Sequence, residues 1–322
     1  MKHLIITADD YGVFPGVNAA IIESVKEKKV NSVSVLANFE GNDKYPGSVK
    51  NLEKLLSETG DAADLGCHLT VTSGKPITGD RMDFACDKDG NFLSYTEFRN
   101  FKSPAEKNAL KEELCEQVNK LHTITGFKIK HLTNHHNSLT LFPHHFDVYM
   151  EVARLFSVPM RSAFIRPESR QNFYLRFLNY KLKDDINRTE RDEIMDFESK
   201  ITEYFKQHSE GIKSPVSLDS RHYGPISLLP AVHLAAWQLV FDKRKKLDKL
   251  FQSFTEGGEE SLEVVVHLGK ANGLFADKSG DLEYPGVDRG YFDSRILEFK
   301  SIMGYKLEQW SGMQQKSWTA LS

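Results

Sequence analysis

Residues 4–12 have the sequence LIITADDYG, in which a short apolar run ends on two adjacent carboxylates, Asp9 and Asp10, and a glycine turn. An apolar run bounded by turn residues is typical of a buried strand. In α/β proteins, ligands bind and catalytic residues collect at the carboxyl ends of strands. Two like charges there repel each other unless a cation, a proton or a substrate separates their roles. In a purely structural interpretation, one Asp caps the next helix and the other points to solvent.

The composition is that of an ordinary globular protein. The chain has 322 residues, 40% of them hydrophobic, and a formal net charge of −3. This length allows two average domains or one large α/β barrel. There is no basic stripe for nucleic acid, and no apolar run for a membrane span or signal peptide. Three cysteines without a CxxC pair argue against a disulfide framework or a thiolate zinc site, and favour a cytoplasmic location.

After the first strand, predicted helices and strands alternate along the chain. The predicted strands are residues 32–37, 64–71, 129–133, 160–165, 216–218 and 262–267. The predicted helices are residues 15–29, 47–58, a helix opened by the capping box of Ser103 and Glu106, and residues 143–156, 230–254 and 291–303. Residues 167–215 lack clean periodicity, and we interpret them as a helical or irregular insertion rather than as another core unit.

This alternation predicts an α/β fold with a parallel sheet and helices outside it. About seven strands suit a (β/α) barrel, either seven-stranded or an incomplete TIM-like barrel, in a single domain spanning residues 1–322. A doubly wound open sheet is the alternative. No glycine-rich dinucleotide fingerprint or phosphate loop is present, because Gly12 and Gly16 lack the spacing of either.

Side chains that can bind a metal come from the end regions of four of the predicted strands. They are Asp9 and Asp10, then His68, then His131, His135 and His136, and finally His267. A lone histidine at a strand end is more often structural, but in a parallel sheet all four strand ends would open on one rim. One carboxylate and two imidazoles are usual ligands of a catalytic divalent cation. A spare carboxylate can then act as general base, and a further histidine as general acid.

The motifs around these residues resemble those of one family. Residues 7–12 are similar to TADDFG, residues 65–76 to GLHLTLTxGxP, residues 131–139 to HLDSHHHVH and residues 263–269 to ELMCHPG. Arg295 falls where the last helix of the family usually carries an arginine. The family is that of the YdjC-like carbohydrate deacetylases, relatives of the polysaccharide deacetylases that share a (β/α) barrel.

The resemblance implies a function and a division of roles. Asp10, His68 and His135 would hold a divalent metal, Mg²⁺ or Zn²⁺, with Mn²⁺ or Co²⁺ as further candidates. Asp9 would activate water and His267 would protonate the departing amine. The implied reaction removes the acetyl group from an N-acetylated mono- or oligosaccharide, chitobiose-like and in one version phosphorylated.

The chain also departs from the family pattern. Thr133 stands where the third motif has Asp, Asn137 and Leu139 replace further histidines, and Leu268 replaces a proline. Because Asp commonly orients a ligand histidine, the surroundings of the metal site are expected to differ.

Four residues are candidates for contact with the sugar: Tyr11, Asn134, Arg166 and Arg295. Arg166 would clamp an anionic group such as a phosphate, although a salt bridge to Glu168 is an equally good interpretation. The expected partner is a small sugar, with no nucleic acid and no membrane, and a homodimer is allowed.

Three other functions remain open at this point. Cleavage of a phosphorylated disaccharide needs two carboxylates facing each other across the scissile bond, about 5–10 Å apart. Asp9 and Asp10 would point in opposite directions along an extended backbone, which argues against them as that pair. A non-haem iron oxygenase shares the two-histidine, one-carboxylate set, but its ligands usually sit on a jelly roll. A sugar-binding protein with a degraded site would explain the changes at Thr133 and Asn137.

Overall fold

A parallel β-sheet organises the fold. The computed structural model describes residues 1–39, 52–94, 97, 99–126, 129–161, 188–219, 236–270 and 289–321. Its strands are β1 (Lys2–Tyr11), β2 (Ser32–Val35), β3 (Asp64–Leu69), β4 (His131–Asn134), β5 (Val216–Asp219), β6 (Ser261–Val266) and β7 (Met313–Gln315). They pair in parallel in the order β4-β3-β2-β1-β6-β5, and β7 joins the start of β1. The predicted α/β fold is confirmed.

The helices pack their apolar faces onto this sheet. Among the described residues they are α1 (Pro15–Lys26), α2 (Leu52–Thr59), α3 (Pro104–Thr125), α4 (Pro143–Phe156), α5 (Arg188–His208), α6 (Ala236–Glu256) and α7 (Arg289–Met303). In α1 the apolar face is buried, namely Val17, Ala20, Ile21 and Val25. The predicted capping box of Ser103 and Glu106 opens α3, so both residues satisfy backbone donors at the helix start.

The two ends of the strand order approach each other. Met160 bridges Leu132 of β4 in parallel, and its backbone N–H also donates to the carbonyl of Lys213, just before β5. Residues 159–161 therefore lie where a barrel would place its next strand. The predicted strand at residues 160–165 is described only as far as Arg161, so closure of the barrel stays a prediction.

Within the stretch interpreted as an insertion, residues 188–208 form helix α5 and residues 209–215 are irregular. In α5, the side chains of Ile194, Phe197, Ile201 and Phe205 are buried in the main core. Phe197 and Phe205 pack against Phe146 of α4 at ring-centroid distances of 6.2 and 5.8 Å. The described helix therefore belongs to the helical layer rather than standing apart from it. Residues 167–187 lie outside the described residues.

A segment near the end of the chain, from β7 to Trp318, covers the amino-terminal end of the sheet. The sequence pattern did not predict this strand. Strand β7 pairs with Lys2–Leu4, and Trp318 is fully buried. The Trp318 indole stacks on His131 with ring centroids 4.6 Å apart, and its backbone N–H donates to the Asp64 carboxylate. Burial lowers the pKa of His131 to about 3. His131 therefore lies at the opposite end of the sheet from the other predicted strand-end histidines.

Candidate active site

The end of β1 is bent, and the bend brings the carboxylates of Asp9 and Asp10 close to the same histidine. The register of β1 against β2 shifts between Ala8 and Tyr11, and Asp10 has φ = 70°, in the left-handed region. Asp9 Oδ2 lies 3.8 Å and Asp10 Oδ1 lies 3.2 Å from His68 Nε2. The expectation that the two side chains point in opposite directions is wrong, because the backbone does not stay extended at Asp10.

Asp10, His68 and His135 form a compact cluster. Each residue offers one atom that could bind a metal, and these three atoms lie within 4.8 Å of one another. His135 Nδ1 is 3.0 Å from Asp10 Oδ1 and 3.3 Å from His68 Nε2. Asp10 Oδ1 is buried and has no hydrogen-bond partner of acceptable geometry. A buried, unsatisfied carboxylate oxygen facing two imidazole nitrogens fits a divalent cation.

The protonation states of the cluster also suit a cation. Burial opposes ionisation of Asp10, but Arg295, His135 and His68 outweigh it and hold the pKa of its carboxyl well below the ordinary value. Burial lowers the pKa of His135, although Asp10 works in the other direction. The cluster thus combines an ionised carboxylate with a neutral imidazole whose lone pair is available.

Arg295 occupies the second oxygen of Asp10. Its Nη2 pairs with Asp10 Oδ2, so only Oδ1 faces the histidines. Helix α7 can approach this closely because Gly269 lies beneath it. A Cβ at Gly269 would be 2.9 Å from the Arg295 Cβ. Arg295 is therefore a buried partner of Asp10, and its predicted contact with the sugar stays a prediction.

The turn after β4 aims His135 at the cluster. The Asn134 side-chain oxygen accepts a hydrogen bond from the Leu139 backbone N–H at 3.3 Å, which ties the two ends of this turn together. His136 has φ = 57°, and its ring lies over that of His135 with centroids 3.8 Å apart. The Thr72 hydroxyl forms a hydrogen bond of 3.0 Å with His136 Nδ1. Asn134 is buried and holds the turn, so its predicted role in sugar binding stays a prediction.

Asp9 is bound by a buried arginine. Arg161 Nη1 and Nη2 donate to the two Asp9 oxygens at 2.7 and 3.0 Å. The same guanidinium donates to Glu263 at 2.6–3.0 Å. Burial opposes ionisation of Asp9, but Arg161, then His68 and His267, hold the pKa of its carboxyl below the ordinary value. Asp9 is thus ionised at neutral pH and lies beside the metal-competent cluster.

The other predicted site residues have different surroundings. His267 directly follows β6, is half-buried, and lies near enough to Asp9 to contribute to its lowered pKa. Tyr11 is fully buried in the hydrophobic core, which gives it no exposed face for a sugar. Arg166 lies outside the described residues.

Sequence reasoning missed Arg161 and Glu263. Each is a charged residue inside a predicted buried strand, and a charge in that position is rarely tolerated without a partner. That signal was visible, since Glu263 interrupts the apolar run of residues 262–266. The identity of the partner was not visible, because Arg161 and Glu263 are 102 positions apart in sequence.

Comparison with known proteins places the chain in a family. A model of the YdjC-like protein family matches residues 3–310. The carbohydrate deacetylase of Thermoanaerobacter pseudethanolicus is 28% identical over 163 residues, 50% of this chain and 61% of the relative. That of Listeria monocytogenes serotype 4b (strain CLIP80459) is 30% identical over 159 residues, covering 49% and 60%. The chain thus spans about 60% of the length of these curated relatives.

A solved structure agrees over nearly the whole length. It is that of a candidate cellobiose-phosphate cleavage protein from Enterococcus faecalis V583, with a TM-score of 0.65, 18% identity, and coverage of 99% of this chain and 98% of that one. At this identity the likeness concerns the fold alone. The match across residues 3–310, together with the motifs clustered at one end of the sheet, makes this chain a member of the YdjC-like protein family.

Proposed function

We propose that the chain is a metal-dependent carbohydrate deacetylase. It would hydrolyse the acetamide of an N-acetylated mono- or oligosaccharide, chitobiose-like, and release acetate and a free amine. The observation that carries this proposal is the unsatisfied Asp10 Oδ1, which faces the nitrogens of His68 and His135 beside the ionised Asp9. The names of the curated relatives, carbohydrate deacetylases, support the same reaction.

Asp10, His68 and His135 would hold the metal. The mixed oxygen and imidazole set suits Mg²⁺ or Zn²⁺, with Mn²⁺ and Co²⁺ as further candidates. When bound, such an ion supplies Lewis acidity, which polarises a carbonyl and lowers the pKa of water. Because Arg295 pairs with Asp10 Oδ2, Oδ1 is the carboxylate oxygen that would be offered to the metal.

Asp9 would act as the general base. Arg161 keeps it ionised, so its carboxylate can take a proton from water as the water attacks the acetyl carbon. The same contact lowers its basicity, but it fixes the carboxylate in one orientation through two hydrogen bonds. We infer that Arg161 lowers the proton affinity of the Asp9 carboxylate but fixes its orientation beside the cluster.

His267 would complete the reaction. When protonated, its imidazole would give a proton to the amine nitrogen as the C–N bond breaks. Its half-buried position after β6, near Asp9, supports access from the same side as the substrate. One carboxylate that accepts a proton and one imidazole that donates a proton balance the hydrolysis of an amide.

Cleavage of a phosphorylated disaccharide is the second candidate, because the Enterococcus faecalis neighbour is named for such a reaction. A glycosidase of that kind needs one carboxyl group that stays protonated, with a raised pKa, to act as the acid. Here the pKa values of both Asp9 and Asp10 are lowered, in each case by an arginine and neighbouring histidines. The lowered pKa values, rather than the directions in which Asp9 and Asp10 point, therefore argue against disaccharide cleavage and favour the deacetylase. A phosphorylated substrate would still be allowed, with Arg166 as its predicted contact.

The remaining predictions concern partners and location. No helix in the described part of the chain is long and apolar enough to cross a membrane. The cytoplasmic location and the homodimer stay predictions, as does the absence of a nucleic-acid partner.

The test is an assay that measures two products at once. Purified protein, stripped of metal and reloaded with Mg²⁺ or Zn²⁺, is incubated with N,N′-diacetylchitobiose and with its phosphorylated form. We expect acetate without free monosaccharide. Free monosaccharide without acetate would support the disaccharide-cleaving alternative. Stoichiometric metal binding without either product would support a sugar-binding protein with a degraded site.

A further inference from the structure

Thr133 lies directly behind one of the proposed metal ligands. Strands β3 and β4 pair in a register that sets His68 opposite Thr133. Thr133 Oγ1 is 2.7 Å from His68 Nδ1, and both side chains are buried. We propose that the Thr133 hydroxyl is the positioning group that fixes the ring orientation and tautomer of His68 for metal binding. This inference rests on the proposed metal site.

The geometry of the His68 ring decides which nitrogen faces the metal. Its Nε2 is 3.2 Å from Asp10 Oδ1 and 3.3 Å from His135 Nδ1, so Nε2 points into the cluster. A nitrogen that gives its lone pair to a cation carries no proton, and the neutral ring must then be protonated at Nδ1. That N–H needs an acceptor in a buried site, and Thr133 Oγ1 lies at hydrogen-bond distance.

The charge of the site explains why a hydroxyl suits this position. Around the cluster, the described residues place three buried carboxylates (Asp9, Asp10 and Glu263) against two guanidiniums (Arg161 and Arg295), so one negative charge is left uncompensated. A further carboxylate behind His68 would add a second uncompensated negative charge to the metal-free protein, and burial makes such a charge costly. Thr133 accepts the imidazole proton without adding charge. A neutral acceptor also raises the basicity of the ligand less than a carboxylate does.

The experiment measures metal affinity without substrate. Thr133→Val removes the hydroxyl at nearly constant shape, and Thr133→Ser keeps the hydroxyl in a smaller side chain. Thr7→Val is the matched control, because Thr7 is a buried threonine of the same sheet whose hydroxyl donates to Ser32 Oγ at 3.1 Å and not to a proposed metal ligand. Zn²⁺ affinity is determined by competition with a chromophoric chelator, and circular dichroism checks that each variant is folded.

We expect Thr133→Val to bind Zn²⁺ about 10- to 100-fold more weakly than the native protein, while Thr133→Ser and Thr7→Val stay within about threefold. Long-range ¹H–¹⁵N spectra of histidine-labelled, Zn²⁺-loaded protein should show His68 protonated at Nδ1 in the native and Ser forms. A packing role alone would leave Zn²⁺ binding by Thr133→Val near native and weaken it in the smaller Thr133→Ser, and it would leave the tautomer unchanged.

Native affinity in Thr133→Val, or equal losses in the Val and Ser variants, would overturn the inference. The expected affinity series in a protein that releases no acetate would uphold it and reject the deacetylase function. Acetate release by the native protein, together with unchanged Zn²⁺ affinity in Thr133→Val, would uphold the deacetylase function and reject the inference about Thr133.

Discussion

Replacing Arg161 with methionine would remove the cation that lies between Asp9 and Glu263. The guanidinium is 5% exposed and donates to four carboxylate oxygens. Breaking a buried ion pair by removing one partner costs about 3–5 kcal/mol, because the other charge stays buried and uncompensated. Here two carboxylates are left, so we expect the free energy of unfolding at pH 7.5 to fall by at least that amount.

The effect should depend on pH. In the native protein Arg161 holds the pKa of Asp9 below its ordinary value. The stability that this provides is present above the unfolded pKa and is lost as the pH falls through the folded pKa. In the methionine variant, burial would raise the pKa of the Asp9 carboxyl without Arg161 to oppose it. The variant should therefore gain stability as the pH falls from 7.5 toward 5, and its deficit relative to the native protein should shrink.

Urea denaturation followed by far-UV circular dichroism at pH 7.5 and pH 5 measures both effects. Arg81→Met is the control, because Arg81 pairs with Glu112 on the surface, where the two side chains are 66% and 51% exposed. Exposed pairs of this kind contribute about 0–1 kcal/mol. If Arg161→Met loses no more stability than Arg81→Met, or loses the same amount at both pH values, the electrostatic account of Asp9 is wrong.

Three further variants test the rest of the site. Asp9→Asn should keep its metal affinity but lower kcat for acetate release by about 10²- to 10⁴-fold, as loss of a general base does, and a variant with near-native kcat would reject Asp9 as the base. His135→Ala should lose both metal binding and activity, measured by calorimetric titration and acetate assay, whereas full Zn²⁺ occupancy would show that the ligand set is different. Gly269→Val should lower the unfolding free energy by about 1–3 kcal/mol through overpacking and displace Arg295, and an unchanged denaturation midpoint would show that α7 can move away freely.

Local patterns predicted the elements well where the sequence carried strong signals. Helix α4 spans Pro143–Phe156 as expected, because a proline at the first position and an apolar face with period 3.6 define it. The metal-competent cluster was also predictable, since the carboxyl ends of parallel strands meet at one edge. Nothing local predicts β7, whose three residues are Met-Gln-Gln and whose strand state depends on β1.

Local patterns could not predict the details of the site either, because these details also depend on residues that are distant in the sequence. The left-handed backbone at Asp10 belongs to the bend at the end of β1, and although aspartate is enriched at positive φ, such a conformation is still uncommon for any residue but glycine. The pairing of Arg161 with Asp9 joins residues 152 positions apart. Sequence patterns locate charges in buried strands, but they do not reveal which opposite charge the fold places beside them.

The pairing of β1 with β7 has a consequence for biosynthesis. His3 and Lys316, 313 positions apart, are in contact at this end of the sheet. The ribosome makes the first strand long before its partner, so the amino-terminal half of β1 waits with an unsatisfied edge while the rest of the chain emerges. Contacts this distant in sequence are slow to form. This edge of the sheet can therefore be completed only after β7 has been synthesised, and the nascent chain needs protection of that edge until then.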